Sequence, residues 1–392
     1  MRTRLEELCS FERESASAGE MRAAEWLADE LREAGASNVR IEEERAANGT
    51  FWWPIGLLAG VGALAGLLAR RGGRIRRAIV VIVGAIASRL IADELPPGGR
   101  TFRRLLPARS CHHVLAETGP EDAERTIVIM GHHDAAHTAF FFDPRITESV
   151  GELVPWVFEN NDTSPPLMWP VVAGPGIVAA GAALGSRPLT ALGTVVSAGS
   201  AAFMAHIGAG QVVPGANDNG TGCIAQIAIA RALAECPPEN TRILFLSTSE
   251  EALCEGMGLF MERHAGELPP DRTFFLCLDT IGSPNLLVLR GEGMLKLREY
   301  PAPSLDLLDS TADELGIELM PNLRLRNATD GVFPLAAGYQ CVSVASCNKW
   351  KNPSNYHWRT DTPENVDYGT VADAIRLSEA VIRKLDESWI AA

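Results

Sequence analysis

The sequence predicts an α/β fold, a three-layer sandwich with a mainly parallel central sheet. Three short and continuously apolar segments are typical of strands buried on both faces: 127–130, 241–246 and 272–278. Helix-like segments separate the strands or follow them, at 223–235, 256–265, 304–315 and 368–387. Strands that alternate with helices indicate a sheet covered by helices on both faces.

The remaining elements complete this sandwich. The pattern from Leu5 to Ala34 is largely helical, and Gly35 stands where a left-handed helix cap is expected. Residues 37–44 partly alternate apolar and polar side chains, as a half-buried strand does. Residues 286–289 and 340–345 are two further strand candidates.

Composition excludes some classes of protein. The chain has 392 residues, enough for one large α/β domain or two smaller ones. Its net charge of −14 excludes a nucleic-acid-binding protein, which would carry a basic surface. The eight cysteines form no C-x-x-C pair and indicate reduced thiols in the core. The first fifty residues are charged throughout, so we expect no signal peptide there.

Two pairs of apolar segments interrupt this pattern. They cover residues 52–69 with 78–92, and 168–184 with 189–209, and both pairs are rich in Gly and Ala. They are long enough, or nearly so, to cross a bilayer, and small residues favour close helix packing in lipid. The sequence therefore predicts two inserted membrane hairpins, at 51–95 and 166–210. The alternative is a set of buried helices in a soluble core, which Arg89 and the short second run favour.

Each hairpin would cross the bilayer twice, so all other segments would lie on one side of the membrane. The arginines between 70 and 77 favour a cytoplasmic position for that loop, which would place the rest of the chain outside. Export of a charged N-terminal segment without a signal peptide favours the opposite arrangement. The sequence predicts a membrane location and leaves the side open.

Polar side chains follow the predicted buried strands, where ligands bind in parallel sheets. With the acidic turn at 215–222 and one histidine near the C-terminus, the candidates are His132, Asp134, Asp218, Glu250, Glu251, Asp279 and His357. Taken alone, the turn also reads as a helix N-cap. Five converging carboxylates would repel one another, and divalent cations are the simplest compensation. Two imidazoles with carboxylates suit zinc, although manganese and cobalt also accept such ligands.

These residues stand in five motifs, which read GHHD, GANDNGTG, SEE, LD and YHWRTDTPEN along the chain. The series resembles the co-catalytic di-zinc aminopeptidase family, which includes bacterial leucyl aminopeptidases and glutamate carboxypeptidase-like enzymes. The resemblance covers roughly residues 1–45 and 110–390. It implies a zinc peptidase domain made of residues 1–50, 100–165 and 211–392, with both hairpins as insertions.

The resemblance also implies a role for each residue. His132 and Asp279 would hold one of two zinc ions, and Glu251 and His357 the other. Asp218 would bridge both ions, and the bond from Asp218 to Asn219 would be cis. Glu250 would be the general base that activates a water shared by the ions. Asp134 would bond the His132 imidazole as part of the catalytic apparatus, and Asp361 would either be structural or orient a ligand. Independently of the resemblance, strand alternation directs His133 to the opposite side, where it would pack.

The expected activity is that of a zinc-dependent exopeptidase, in the first place an aminopeptidase, with a peptide substrate and membrane lipid as partners. One alternative within the same fold is a glutaminyl cyclase-like acyltransferase with a single zinc. Another is a metal-free receptor or scaffold. The sequence indicates neither the preferred side chain of the substrate nor an oligomeric state.

Overall fold

The computed structural model of the chain describes residues 1–47, 50–69, 73–251 and 254–389. Its centre is a seven-stranded sheet in the order β1-β2-β4-β3-β5-β10-β6. The strands of this sheet are β1 (Ser37–Ala47), β2 (Ala108–Thr118), β3 (Arg125–His132), β4 (Thr241–Thr248), β5 (Thr273–Leu278), β6 (Asn285–Val288) and β10 (Gln340–Cys347). A small second sheet consists of β7 (Gly291–Glu292), β8 (Arg298–Glu299) and β9 (Arg324–Leu325).

The predicted α/β class is confirmed, but the large sheet is mixed rather than mainly parallel. The four central strands β4, β3, β5 and β10 are parallel, whereas β1, β2 and β6 pair antiparallel with their neighbours. Strand β2 has no counterpart in the sequence prediction. It lies between β1 and β4 and begins with three exposed residues, since antiparallel strands can face water on one side. The fully buried central strands give a clear apolar signal that such a partly exposed strand lacks.

Helices cover both faces of the sheet, and their bounds agree closely with several of the predicted segments. The helices are α1 (Arg2–Leu8), α2 (Ala18–Glu33), α3 (Trp52–Ala69), α4 (Arg74–Glu94), α5 (Pro144–Leu153), α6 (Pro155–Glu159), α7 (Trp169–Leu184), α8 (Arg187–Gly208), α9 (Thr221–Glu235), α10 (Gly256–His264), α11 (Ala302–Leu315), α12 (Val332–Ala337) and α13 (Tyr368–Glu387). The predicted N-terminal helix is two helices, because Ser17 caps a new one by accepting the amide hydrogens of Gly19 and Glu20.

The two faces of the sheet have separate apolar cores. Helices α1, α2, α9, α11 and α13 cover one face, where Ile129, Phe245 and Leu276 are buried. Helices α10 and α12 cover the other face, where the alternate strand residues Met130, Leu246 and others lie. Alternate side chains of one strand therefore belong to opposite cores, as in any strand that is buried on both faces. The central strands form the middle layer of a three-layer structure.

The four helices α3, α4, α7 and α8 pack on one another as a bundle. Among the described residues, α3 and α8 are long and apolar enough to cross a membrane, and α7 is a shorter apolar helix. Helix α4 has 21 residues but carries three arginines in its first turn and Arg89 within two turns of its end. All four helices meet the α/β domain at the same end of the bundle, since α3 and α7 begin there and α4 and α8 end there.

Small residues lie at close helix contacts in the bundle, while several large apolar side chains of the same helices are exposed. A Cβ added to Gly66 would come within 2.0 Å of Thr194 Oγ1, and one added to Gly193 within 2.5 Å of the Val178 nitrogen. In contrast, Leu64, Ile82 and Val195 are more than half exposed. Soluble cores bury their large apolar side chains. The exposed leucine, isoleucine and valine side chains of this bundle are not covered by the described part of the chain.

Replacing Gly193 by leucine should therefore disrupt the bundle, because the backbone of α7 leaves no space for a side chain. Overpacking of this kind costs about 1–3 kcal/mol. We expect Gly193→Leu to lower the thermal unfolding midpoint of the purified protein. Gly199→Leu is the matched control on the same helix, since a Cβ there meets no described atom within 4 Å. Equal midpoints for the two variants would contradict the close packing of α7 and α8.

Candidate metal centre

The ends of three neighbouring parallel strands bring the first group of predicted site residues together. His132 is the last residue of β3, Glu250 and Glu251 follow β4 closely, and Asp279 follows β5 directly. Strand β3 lies between β4 and β5, with His132 opposite Thr248 in the register. Because carboxyl ends of parallel strands share one edge, these side chains emerge at the same place.

Asp218 reaches this edge from a tight turn that precedes α9. The turn begins with Gly215, whose φ of 62° is left-handed and suits glycine. Its peptide bond from Asp218 to Asn219 is cis, as the resemblance implied. Asp361 accepts the amide hydrogens of Asn217 at 2.7 Å and Asp218 at 3.1 Å. Asp361 therefore orients the turn, in agreement with its expected structural role.

The two predicted histidine ligands lie on opposite sides of Asp218. His132 Nε2 is 3.4 Å from Asp218 Oδ1, and His357 Nε2 is 3.2 Å from Asp218 Oδ2. Glu251 also contacts both, with Oε2 at 3.6 Å from His132 Nε2 and Oε1 at 2.6 Å from His357 Nε2. Single ligand atoms of His132, Asp218 and Glu251 all lie within 4.8 Å of one another. Such a cluster is compact enough to hold a metal ion.

Asp279 and Glu250 flank this cluster and are almost completely buried. Burial raises the pKa of Asp279 well above its usual value, and the nearby charge of Asp218 adds to the effect. Burial likewise raises the pKa of Glu250, with a contribution from Asp330. Glu250 Oε2 accepts the amide hydrogen of Met257 at 3.1 Å. Asp279 and Glu250 thus lie next to the compact group of His132, Asp218 and Glu251 and are not members of it.

Asp134 joins two of the strand ends. Its carboxylate accepts the amide hydrogens of Glu250 and Glu251, both at 3.0 Å, and the hydroxyl hydrogen of Ser15. It also lies 3.2 Å from Nδ1 of the His132 ring. A hydrogen bond at Nδ1 leaves Nε2 of this ring facing Asp218 and Glu251. Asp134 thus sets both the orientation of the imidazole and the course of the loop after β4.

The donor set fits a divalent cation. Burial lowers the pKa of His357, but the carboxylates of Glu251 and Asp218 outweigh burial and raise it to about 10. The cluster therefore has a strong excess of negative charge that attracts positive charge. Asp218 Oδ2 and His357 Nε2 are buried, and neither has a hydrogen-bond partner of acceptable geometry among the described residues. Imidazole nitrogens and carboxylate oxygens at this spacing are the ligands that zinc accepts.

His133 points away from this cluster, as predicted. Its ring is fully buried, with Nδ1 3.0 Å from Ser247 Oγ and Nε2 3.0 Å from Glu20 Oε1. Alternation along the strand sends neighbouring side chains to opposite faces. His133 therefore belongs to the packing between α2 and the sheet, and its partner Glu20 was not anticipated.

Two residues near the site gave no signal in the sequence. Asp330 is buried, with both carboxylate oxygens 3.2 Å from Thr248 Oγ1, and burial raises its pKa to about 6. Arg13 is also buried and donates to the main-chain oxygens of His133 and Pro214, at 2.9 and 2.7 Å. Neither residue follows a buried strand or belongs to a short motif, so only the fold reveals them.

Aromatic rings connect the cluster to the helical bundle. Tyr356 stacks on the His357 ring with 3.8 Å between centroids, and Phe142 packs edge-on against the same imidazole at 4.7 Å. The neighbouring Phe141 contacts Phe203 of α8 at 5.2 Å. The wall of the site on the His357 side therefore continues directly into the bundle.

The fold is that of zinc-dependent exopeptidases and related enzymes. A Zn-dependent exopeptidase from Parabacteroides distasonis is similar with a TM-score of 0.55, 12% identity, and coverage of 99% of this chain and 96% of that one. The zinc aminopeptidase BSAP from Bacillus subtilis has a TM-score of 0.54, 13% identity and coverage of 98% and 93%. A Tannerella forsythia glutaminyl cyclase has a TM-score of 0.58, 14% identity and coverage of 97% and 96%.

Residues 195–382 of the chain match Peptidase family M28. This region includes the turn with Asp218, the pair Glu250 and Glu251, Asp279 and His357. His132 and Asp134 lie before it. No curated protein sequence matches the chain.

A buried glutamate behind Asp330 gives the protein a testable pH dependence. Glu292 accepts hydrogen bonds from Tyr300 and from both the amide and the hydroxyl of Thr329. Burial nevertheless raises the pKa of Glu292 from 4.5 to about 7. The folded chain keeps this proton at pH values where the unfolded chain loses it. This contribution to stability is complete below pH 4.5 and is lost as the pH rises through about 7.

We expect Glu292→Gln to flatten the decline of the thermal unfolding midpoint between pH 4.5 and about 7. Glutamine keeps the size of the side chain and cannot ionise. Glu318→Gln, at an exposed position, is the control and should retain the slope of the natural protein. An unchanged slope in Glu292→Gln would contradict a protonated Glu292 in the folded state.

Proposed function

We propose that the chain is a membrane-embedded zinc exopeptidase, and specifically an aminopeptidase. The observation that carries this proposal is the position of Asp218 between two histidines. Each carboxylate oxygen of Asp218 faces a different imidazole, at 3.4 and 3.2 Å. A carboxylate that lies between two imidazoles in this way would be able to contribute to a site for two metal ions.

The ligands divide into two groups around Asp218. His132 and Asp279 would hold the first ion, and His357 and Glu251 the second. The short contact between Glu251 and His357 supports their assignment to one ion. His132 also lies near Glu251, so the division of ligands between the ions is part of the proposal. The Asp134 carboxylate would keep the His132 proton on Nδ1 and leave Nε2 as the ligand atom.

Bound zinc would supply Lewis-acid polarisation of the scissile carbonyl and a water of lowered pKa. Glu250 would take a proton from the attacking water and deliver it to the leaving amine. Its burial suits this role, because a raised pKa makes a carboxylate a stronger base near neutral pH. The hydrogen bond from the Met257 amide holds Oε2 of the Glu250 carboxylate in place.

The charge around the site favours the amino terminus of a peptide over the carboxyl terminus. Burial raises the pKa of Asp134, but its hydrogen bond to the His132 ring outweighs burial and lowers it, so Asp134 adds a negative charge beside Asp218 and Glu251. Arg13, the cation buried beneath the site, directs its donors to main-chain carbonyl oxygens. A positively charged amino group is attracted by such a field, whereas a terminal carboxylate is repelled.

The helical bundle supports a location in the membrane. Helices α3 and α8 have 18 and 22 residues, or about 27 and 33 Å, close to the roughly 30 Å of a hydrocarbon core. Arg89 lies within two turns of the end of α4 and pairs with Asp93 at 3.3 Å, so its charge can reach the membrane surface. We place the catalytic domain on one side of the membrane, at the end where all four helices meet it.

A glutaminyl cyclase-like activity is the second candidate, because a glutaminyl cyclase shares the fold at a TM-score of 0.58. An acyltransferase of this kind would use a single zinc. The position of Asp218 between two candidate ligands, His132 and His357, favours the two-ion peptidase. The number of ions bound therefore separates the two activities.

The role of Glu250 can be tested by substitution with glutamine. Glu250→Gln should keep its zinc and lose on the order of 10²-fold or more in the rate of hydrolysis of aminoacyl substrates, since the proton acceptor is removed. Zinc content and kcat should be measured on the same preparation. Glu318→Gln serves as an exposed control and should keep full activity. A fully active Glu250→Gln enzyme would remove Glu250 from the mechanism.

Metal analysis of the purified protein tests the ligand assignment. We expect two zinc ions per chain, one after Asp279→Ala, one after His357→Ala, and strong loss of both after Asp218→Ala. One zinc in the natural protein, together with cyclisation of N-terminal glutamine in a peptide, would establish the cyclase alternative. Retention of both ions in Asp218→Ala would contradict the bridging role.

A further inference from the structure

A second apolar surface lies outside the bundle, on α5 and α6. Ile146, Val150 and Leu153 follow one another at helical spacing along α5, and all three are exposed, Leu153 to 81%. Trp156 of α6 is 63% exposed. Charged residues, among them Glu148 and Glu152, occupy other positions of α5. The helix is therefore amphipathic, with its apolar face directed away from the protein.

The opposite side of this segment is firmly attached to the α/β domain. A Cβ on Gly151 would lie 2.4 Å from the Trp350 ring, and the rings of Phe158 and Trp350 are 5.5 Å apart. Lys351 Nζ donates to the Asn161 carbonyl at 2.6 Å. Packing on the domain thus involves residues other than the apolar stripe of α5, and the stripe stays uncovered by the described part of the chain.

Both ends of the segment are attached at the end of the bundle that meets the catalytic domain. Before it, the Phe140 amide donates to His206 Nε2 of α8 at 3.2 Å, and Phe141 contacts Phe203. After it, the chain enters α7 at Trp169, which is 46% exposed and whose indole donates to the Met294 carbonyl at 3.1 Å. Trp53, near the start of α3, is also 46% exposed at this end.

Exposed tryptophans at one end of an apolar bundle mark the level of the membrane surface. A segment joined to the bundle at that level, with an apolar stripe and a tryptophan facing outward, has the composition of a helix that lies in the interface. Between this segment and Trp169, Leu167 is also exposed, to 46%. A lipid surface is the occupant that these exposed apolar residues at one end of the bundle favour.

We propose that α5 and α6 form an interfacial anchor that inserts Val150, Leu153 and Trp156 into the headgroup region of the bilayer. This proposal rests on the membrane location of the bundle given above. Phe142 lies two residues before α5 and packs on His357, so the anchor brings the site to the membrane surface. The substrates would then be peptides whose free amino end lies at the bilayer.

Fluorescence quenching in nanodiscs tests the anchor without any need for catalysis. The full-length protein would be placed in phosphatidylcholine discs with or without lipid brominated near the headgroup. The emission of Trp156 is obtained by subtracting the spectrum of Trp156→Phe from that of the natural protein. The emission of Trp53 is obtained in the same way from Trp53→Phe. We expect brominated lipid to quench Trp156 as strongly as Trp53.

The possible results separate this proposal from the proposed function. Quenching of Trp53 alone would overturn the anchor while supporting the inserted bundle. Quenching of neither residue would overturn the membrane location as well, and zinc content and peptidase activity would test the catalytic assignment independently. An unquenched Trp156 in a chain that sediments as a dimer would identify a second copy as the occupant and overturn the lipid assignment.

A paired set of variants provides a second measurement. Val150→Gln with Leu153→Gln should raise KM for a peptide anchored to the vesicle by an acyl chain at its carboxyl end, and leave KM and kcat for a soluble aminoacyl substrate unchanged. Glu148→Gln with Glu152→Gln is the control, which introduces the same residue on the charged side of α5. It should leave the kinetics of both the anchored and the soluble substrate unchanged. Equal effects on anchored and soluble substrates would contradict a role for the anchor in binding at the membrane.

Discussion

The hydrogen bonds of one buried carboxylate, Asp134, give the candidate site its shape. Parallel strands bring residues to a common edge, but the edge alone does not orient their side chains. Asp134 bonds the His132 ring at the end of β3 and the amides of Glu250 and Glu251 beyond β4. Hydrogen bonds to a charged group are among the stronger ones in proteins. His132, a candidate ligand, and Glu250, the proposed base, are therefore held in fixed positions relative to each other, although they belong to different strand ends.

The sequence was sufficient for the parts of the fold that are governed by local pattern. Strands β3, β4 and β5 are buried on both faces, so they appear as continuous apolar runs whose ends can be located. Because the polar residues that follow them share one edge, the grouping of His132 with Glu251 could be anticipated from the strand ends, and the acidic turn together with the family resemblance added Asp218. Helix α13 matches its predicted bounds because its apolar face repeats regularly over twenty residues.

The parts that could not be predicted depend on contacts between distant segments. Arg13 and Ser15 lie in an irregular stretch and acquire their roles only when His133 and Asp134 fold against them. Asp330 precedes the short helix α12 and has no buried strand before it to mark its position, since β9 has two half-buried residues only. The antiparallel strand β2 is partly exposed and therefore carries no buried-strand signal. The outward apolar face of α5 could not be foreseen, since periodicity shows a face but not its direction.

The bundle and the site form one structural unit rather than an anchor joined to an enzyme. The second insertion separates Asp134 from Asp218 in the chain, and α8 ends ten residues before Asp218. A simple anchor would be connected by a linker with few contacts. Here Phe203 of α8 packs on Phe141, and the adjacent Phe142 packs on His357. A shift of α8 would displace the rings that surround His357, so the geometry of the proposed metal centre depends on the packing of the helices.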